Sequence, residues 1–324
     1  MSRIRVGVTS VTVVLLGLWG LAQQAPPQAP AGRGTAVGQG AQGRGQGGGR
    51  GGGRGARVRK VVLAWADTRN GQAQHDSVSH ALAIVERLGY ESGMWDTFIR
   101  TDSNIISKTP KKTDGTAASG GPSLSNVDAI FFMGHREVPL EPAQREELAS
   151  FVREGHGFVA AHVGLTAFES WPEFGAMIGA RFDQHPMTGP GVVINEDPAF
   201  PATKQFPAAF NFNDEFYQPS QYSRDKIHVL LRLDLSKVPP NPGLHQKDGD
   251  YPLAWATMYG KGRVFYGSFA HANTTWDMRD VQLMYFEAMR WALGLTDAEL
   301  APHPMRGSAA DLAPARGSGA GPAR

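Results

Sequence analysis

The feature that most constrains the fold is a repeated alternation of short apolar runs with amphipathic helical patterns. The run "VRKVVLAWA" from Val58 is followed by a polar loop and then by apolar residues at helical spacing, closed by Gly89. The apolar run "VDAIFFMG" at 127–134 leads into the helical pattern "LEPAQREELASFVREG", and "GFVAAHVG" follows at 157–164. Continuous apolar strands between helices are typical of a parallel sheet with both faces covered. The sequence therefore predicts an α/β fold with a mostly parallel sheet and helices on both faces.

The remaining patterns are less regular. We expect a second strand near 90–95, a surface loop at 102–125, a short helix in "WPEFGAMIGARF" and a strand in "GVVINED". The segment "DKIHVLLRLDL" alternates strictly, which predicts a strand with one covered face. Two strands meet at Gly260-Lys-Gly262, where a hairpin is one way to pair them. A closing helix ends at Gly294, and an irregular region rich in Pro, Phe and Asn holds "FNFNDEFYQP".

The two ends of the chain differ in composition from the middle. Residues 1–22 carry two arginines, an apolar run and a small-x-small site, the layout of a signal peptide, and predict a secreted or periplasmic protein. A retained N-terminal anchor is the alternative, and without one we expect no stable membrane insertion. Residues 23–57 predict a disordered linker rich in Gly, Arg and Pro. We expect one ordered domain at 58–295 and a disordered tail at 296–324.

Composition excludes several classes of function. The chain has no cysteine, which removes disulfides and thiolate nucleophiles. Residues 1–66 hold nine Lys and Arg and no acidic residue, which leaves 23 basic against 30 acidic residues in 67–324. This negative body argues against nucleic acid as a partner. Glycine motifs for phosphate or dinucleotide binding are missing, so no nucleotide cofactor is expected.

Four of the ten histidines lie where strands give way to loops, the edge at which an α/β sheet gathers its ligands. These are His75, His162, His185 and His271. Three others, His80, His228 and His303, are set aside as solvated. For any one of these four taken alone, the alternative to a functional role is a core histidine whose ring nitrogens are hydrogen-bonded inside the protein.

Two adjacent carboxylates, Asp214 and Glu215, lie among aromatic residues in "FNDEFY". Burial among rings raises the pKa of a carboxyl group unless a cation compensates, which suits a general acid or base. An exposed pair in a loop is the alternative. Several imidazoles with one carboxylate would suit zinc or another late divalent ion, with His75 and His185 as candidate ligands. The sequence spacing alone gives only a weak metal signal, because no short helical metal motif is present.

Four separated motifs together resemble one known family. The segments "LEPAQREELASFVREGHGFVAAHVG", "WPEFGAMIGARFDQHP", "NDEFY" and "PLAWATMYGKGRVFYGSFAHANTTW" resemble the ThuA-like (trehalose utilisation) family in order and spacing. The resemblance implies a flavodoxin-like three-layer sandwich related to class I glutamine amidotransferases, with the cysteine-bearing turn replaced by the His162 turn. It also implies sugar utilisation, including oxidised (3-keto) disaccharides and glycosides. The family's recurring polar positions correspond to His75, His162, His185, Asp214, Glu215, Tyr217 and His271. The linker and the 102–125 insertion depart from the family.

These observations predict an exported enzyme of oxidised-sugar or glycoside breakdown that works through a histidine and carboxylate site. His162 and His271 would polarise a carbonyl or hydroxyl, directly or through a metal, while Glu215 moves a proton. The residues expected to bind the sugar are Trp171, Asp214, Tyr217 and Trp276. For the aromatic residues Trp171, Tyr217 and Trp276, the alternative to sugar binding is a position in the pocket wall or the core. Two other functions stay open, a non-catalytic carbohydrate-binding protein and a metal-dependent amidase or peptidase. The oligomeric state is not predicted.

Overall fold

A computed structural model describes residues 59–112, 114–246 and 248–312. The expected signal peptide at 1–22 and linker at 23–57 lie outside the described residues, as does the chain from 313 onward. Within the described ranges, every helix is too short or too polar to cross a lipid bilayer.

The first half of the domain alternates strands and helices as the apolar patterns predict. The elements are β1 (Lys60–Trp65), α1 (Ser77–Ser92), β2 (Trp95–Arg100), β3 (Ala129–Phe132), α2 (Pro142–Arg153) and β4 (Gly157–Ala161). A 3-10 turn (His162–Thr166) follows β4 directly. Pro142 begins α2 at a position where its missing N–H costs no hydrogen bond.

The second half is built mainly from strands. Its elements are α3 (Pro172–Ile178), β5 (Arg181–Asn195), β6 (Ala209–Ser220), β7 (His228–Leu233), β8 (Pro252–Tyr259), β9 (Gly262–Gly267), α4 (Asn273–Trp276) and α5 (Arg279–Ala292). The predicted strand pair around Gly260 is a hairpin, with Tyr259 opposite Gly262 in antiparallel register.

All nine strands form one sheet in the order β2-β1-β3-β4-β9-β8-β7-β5-β6. The first five strands in this order, β2, β1, β3, β4 and β9, pair in parallel. The remaining pairings, β9 with β8, β8 with β7, β7 with β5 and β5 with β6, are antiparallel. The expected flavodoxin-like layout with a mostly parallel sheet is therefore corrected to a mixed sheet. The physical reason is connection length, because the two-residue turn between β8 and β9 is too short for a parallel crossover.

Helices cover both faces of this sheet, as the sequence predicts. Successive residues of β1 alternate between two buried clusters, with Val62 and Ala64 in one and Leu63 and Trp65 in the other. The first cluster includes apolar residues of α1 and α5, and the second includes those of α2 and α3. The two clusters are the two layers of core between sheet and helices.

One helix end differs from the prediction. Helix α1 passes Gly89 and ends at Ser92, and Gly93 takes the left-handed conformation (φ 66°) that closes it. Strand β2 consequently begins only at Trp95 and ends at Arg100, later in the chain than the predicted strand near 90–95. Residue 89 is a glycine because a Cβ at this position would overlap the indole ring of Trp95.

Two further strands differ from the sequence reading. The segment "FNFNDEFYQP", expected to be irregular, lies within the long strand β6. Strand β7 is buried along its whole length and is not half-covered. Its polar residues are paired inside the protein: Arg232 donates to Glu196, and His228 lies 2.8 Å from Asp197. The polar residues of the alternating pattern in β7 are therefore buried and paired with acidic residues. His228 is one of them, so it is not solvated.

Chain segments expected to be loop or tail also pack on the domain. Ile105, Ile106 and Leu124 of the 102–125 insertion are buried in the cluster that includes α2. In the described part of the tail, His303 hydrogen-bonds the carbonyl of Val229, and Arg232 donates to the carbonyl of Arg306. The ordered structure thus extends beyond residue 295.

Candidate functional site

Three histidines from separate loops meet at the carboxyl edge of the parallel strands. His75 lies between β1 and α1, His162 directly follows β4, and His271 follows β9. The ring centroids of these three residues are 4.9 to 5.2 Å apart. His162 has a left-handed backbone (φ 41°), which is unusual for a residue with a side chain and turns the chain sharply at the end of β4.

Glu215 reaches the same point from strand β6. Its Oε2 lies 3.1 Å from Nδ1 of His271, 3.3 Å from Nε2 of His162 and 3.9 Å from Nε2 of His75. Strand β6 is on the antiparallel side of the sheet, so the carboxylate and the imidazoles come from opposite halves of the fold.

The geometry of these four residues fits a metal ion. One ligand atom from each of His75, His162, Glu215 and His271 can be chosen so that all four lie within 4.8 Å of one another. Zinc bonds of about 2.0–2.1 Å to N and O imply ligand separations of about 3.4 Å in a tetrahedron. The measured separations of 3.1 to 3.3 Å among His162, His271 and Glu215 are close to that value.

Hydrogen bonds outside this group hold the ligand atoms in place. Nδ1 of His162 lies 2.6 Å from the carbonyl oxygen of Ser268 and must donate to it, which leaves Nε2 free of a proton in the neutral ring. Such a carbonyl partner is the usual second contact of a metal-ligating histidine. Tyr217 packs its ring 4.2 Å from that of His162, and its hydroxyl lies 3.4 Å from Nε2 of His75.

Asp214 lies beside the group without facing the cleft. Its two carboxylate oxygens accept hydrogen bonds from the backbone N–H groups of Ala270 (2.7 Å) and His271 (3.1 Å). The side chain is buried, and its contacts fix the turn that carries His271. It holds a candidate ligand in position, whereas the sequence suggested sugar binding.

The pKa shifts of His162 and Glu215 have different causes. Burial lowers the pKa of His162, which favours its neutral form. Burial alone would raise the pKa of Glu215, but the contacts with His162 and His75 prevail and hold it well below its usual range. Neutral imidazoles and an ionised carboxylate are the forms that bind metals.

His185 contacts the other oxygen of Glu215. Its Nδ1 lies 3.2 Å from Oε1, and half of its side chain is exposed. It lies within β5, where the pairing with β6 slips between Gln184 and Met187. His185 is outside the four-residue group that could hold one ion.

The site opens into a cleft of about 630 Å³. The residues that line this cleft are Ala73, Gln74, His75, Asp76, His135, His271, Ala272, Asn273 and Thr274. His135 was missed by the sequence analysis, although it lies in the loop that follows the buried strand β3, three residues after the strand ends. Its Nδ1 lies 2.8 Å from the carbonyl oxygen of Ala73, and burial lowers its pKa.

The two tryptophans expected to bind the sugar do not line this cleft. Trp276 is fully buried and donates its indole N–H to the carbonyl of Ala270. Trp171 is 9% exposed and packs against Phe168 and Phe174 at the start of α3. Both occupy the wall or core positions that were the alternative.

Comparison with known proteins gives one family and a set of similar folds. The family model described as "ThuA: Trehalose utilisation" matches residues 61–292. A ThuA-like protein from Bacteroides uniformis is 23% identical, with a TM-score of 0.57 over 73% of this chain and 93% of its own. A ThuA-like protein from Parabacteroides merdae is 16% identical, with a TM-score of 0.57 over 76% and 94%. At such identities the likeness shows the fold alone. No curated protein is significantly similar.

Proposed function

Because the chain belongs to the ThuA (trehalose utilisation) family, we propose that it is an exported, metal-dependent enzyme that acts on an oxidised sugar or glycoside. The observation that carries this proposal is the convergence of His75, His162, His271 and Glu215, two of which, His75 and His271, line one cleft. The family description supports a carbohydrate substrate, and the N-terminal sequence pattern supports export.

We assign the four converging residues as the metal ligands, with zinc as the ion that best suits three imidazoles and a carboxylate. A divalent ion bound there would polarise a carbonyl or hydroxyl oxygen of the substrate. Glu215 serves as a ligand in this assignment, because its Oε2 lies 3.1 Å from Nδ1 of His271 and 3.3 Å from Nε2 of His162, and its lowered pKa favours the carboxylate form. His185 contacts the opposite oxygen of Glu215 and reaches solvent, so it is placed to exchange protons with water.

The cleft suits a polyhydroxylated molecule. Asn273 and Thr274 offer amide and hydroxyl groups along its wall, while Trp171 and Trp276 are packed elsewhere. Recognition would therefore use hydrogen bonds to hydroxyl groups and no stacking on indole rings. A ketone at carbon 3 acidifies the neighbouring C–H bonds, so one electrophile and one base suffice for elimination or isomerisation.

The experiment compares metal content and turnover in protein purified without a histidine tag. The wild-type chain is expected to bind one zinc ion and to convert a 3-keto-glucoside. Glu215→Gln, which keeps the shape but removes the charge, should weaken zinc binding by at least about 100-fold and abolish turnover. Glu91→Gln, at an exposed position on α1, is the matched control and should change neither.

Other results would favour the alternatives. Zinc-loaded protein that binds keto-sugars but converts none of them would be a binding protein. Cleavage of peptides with no action on glycosides would indicate an amidase. Equal zinc affinity in wild type and Glu215→Gln would contradict the ligand assignment itself.

A further inference from the structure

His135 has a fixed orientation on the cleft wall beside the candidate metal ligands. Its ring lies edge-on to that of His75, with centroids 5.4 Å apart. A carbonyl oxygen only accepts hydrogen bonds, so Nδ1 of His135 carries the proton that is donated to Ala73. In the neutral ring Nε2 then presents a lone pair, and no described residue donates a hydrogen bond to it.

We propose that Nε2 of His135 accepts a hydrogen bond from a hydroxyl group of the substrate. The substrate's carbonyl oxygen would be bound by His75, His162, Glu215 and His271, and the hydroxyl group is on the carbon next to that carbonyl. This inference rests on the proposed function and narrows its substrate class. The site would select an α-hydroxy ketone over a ketone without a neighbouring hydroxyl group.

His135 lies beside the candidate metal ligands and is not one of them. It is outside the group whose ligand atoms lie within 4.8 Å of one another. It lines the cleft together with two residues of that group, His75 and His271, so it is a neighbour of a molecule that enters the cleft. The contact of its Nδ1 with the backbone of Ala73 holds the ring in this position.

The chemistry of a 3-keto sugar matches this arrangement. Its carbonyl is flanked by hydroxyl groups on carbons 2 and 4, so a carbonyl oxygen at the metal position leaves a hydroxyl on either side, and one of the two can face His135. An acceptor that is fixed before the substrate arrives costs little entropy on binding, which favours a rigid imidazole over a flexible side chain. A ketone that lacks this hydroxyl would leave Nε2 without a partner and bind less tightly.

The first experiment uses zinc-loaded wild-type protein and three probes: methyl 3-keto-glucoside, its 2-deoxy form and its 4-deoxy form. Binding is measured by calorimetry, or as kcat/KM where the sugar is turned over. One of the two deoxy forms is expected to be weaker than the parent by about tenfold. Equal affinity for all three overturns the inference without any variant.

The second experiment repeats the comparison with His135→Leu, which has no acceptor, and His135→Gln, whose amide oxygen can reach the position of Nε2. His135→Leu should lose the tenfold discrimination while still binding zinc as tightly as wild type, and His135→Gln should restore part of it. His80→Leu, on the surface of α1, is the matched control and should discriminate as wild type does.

The outcomes separate this inference from the proposed function. Loss of zinc from His135→Leu would make His135 a metal ligand and overturn the inference, as would unchanged discrimination. In both cases the proposed function stands if wild type binds zinc and the parent sugar. Wild-type protein that binds neither would overturn both. If His135→Leu does not fold, the wild-type comparison and His135→Gln still decide.

Discussion

At the scale of single residues, the contact of Asp214 with the turn at Ala270 and His271 is the one that shapes the site. Ala270 has a left-handed backbone (φ 90°), which a residue with a Cβ adopts only at a cost. The buried carboxylate accepts the two consecutive N–H groups of this turn and so compensates for it. Burial raises the pKa of Asp214 above its ordinary value despite these bonds.

Replacing Asp214 with asparagine should therefore displace His271. The amide keeps one acceptor oxygen, so one of the two buried N–H groups loses its partner, and we expect the free energy of unfolding to fall by about 1–3 kcal/mol. Zinc affinity should fall as well, because His271 loses its support. Urea unfolding and zinc titration measure the two effects. Asp277→Asn, at a largely exposed position, is the control, and equal behaviour of the two variants would contradict the role of Asp214.

Sequence reasoning singled out most of the residues that the structure brings together, but not the contacts that they make. His75, His162 and His271 were predicted because each follows a buried strand, and the same rule applied consistently would have found His135. Glu215 was singled out by its aromatic neighbours. Trp171 and Trp276 were misplaced because a tryptophan near a loop looks the same in sequence whether it packs inward or faces a ligand. The role of Asp214 depends on backbone groups of residues 270–271, which no side-chain pattern encodes.

At the scale of elements, the strand pair β5–β6 brings Glu215 and His185 to the site, and it was the hardest part to predict. Both strands are long and interrupted by Pro, Gly and Asn, and their pairing slips near Gln184, so no simple period of two is visible. The β8–β9 hairpin and helices α2 and α5 were predictable, because their turn residues and apolar faces are local signals.

The C-terminal segment contributes a pH-dependent contact to strand β7. Burial lowers the pKa of His228, but its hydrogen bonds with Asp197 and the carbonyl of Ala301 raise it and prevail. A folded-state pKa above the unfolded value of about 6.5 adds stability below that pH, and this stability is lost as pH rises through the folded-state pKa. Asp197 does not interfere, because its own pKa is lowered.

The difference in stability between wild type and His228→Gln should therefore be largest near pH 5.5 and shrink toward pH 8.5. Urea unfolding at pH 5.5, 7.0 and 8.5 measures it. His80→Gln, on the surface of α1, is the control for a general effect of removing an imidazole. A difference that stays constant or grows with pH would show that His228 is not stabilised in its charged form.

At the scale of the whole molecule, the site lies where the parallel and antiparallel halves of the sheet join. Strands β4 and β9 form the last parallel pair, and the loops after them carry His162 and His271. The sequence predicted the two layers of helices and the parallel half of the sheet. In each βαβ unit the strand is a short apolar run and the helix repeats apolar residues at helical spacing, and both patterns are local. Beyond the β8–β9 hairpin the sequence did not predict the antiparallel half, because strand order there depends on contacts between segments far apart in the chain.

Zinc should stabilise the whole domain if the four residues bind it. At a free zinc concentration of 100 times Kd, linkage adds about 2.7 kcal/mol to the free energy of unfolding. For a domain of this size that corresponds to a rise in Tm of about 5–10 °C. Thermal unfolding with zinc, and again after chelation, measures the rise, with magnesium as the control ion. Glu215→Gln should show little of it, and an unchanged Tm in wild type would contradict the site.

The four candidate ligands are distributed along the chain from His75 to His271, one in each of four separate segments. If these four residues bind an ion, none of the four segments can hold it alone while the chain is being synthesised, and the lack of cysteine removes the usual early trap for soft metals. The ion could then enter only after the sheet is assembled. Metal acquisition would then report that folding is complete, and a chain cleaved between two of these segments would be unable to reload once it had come apart.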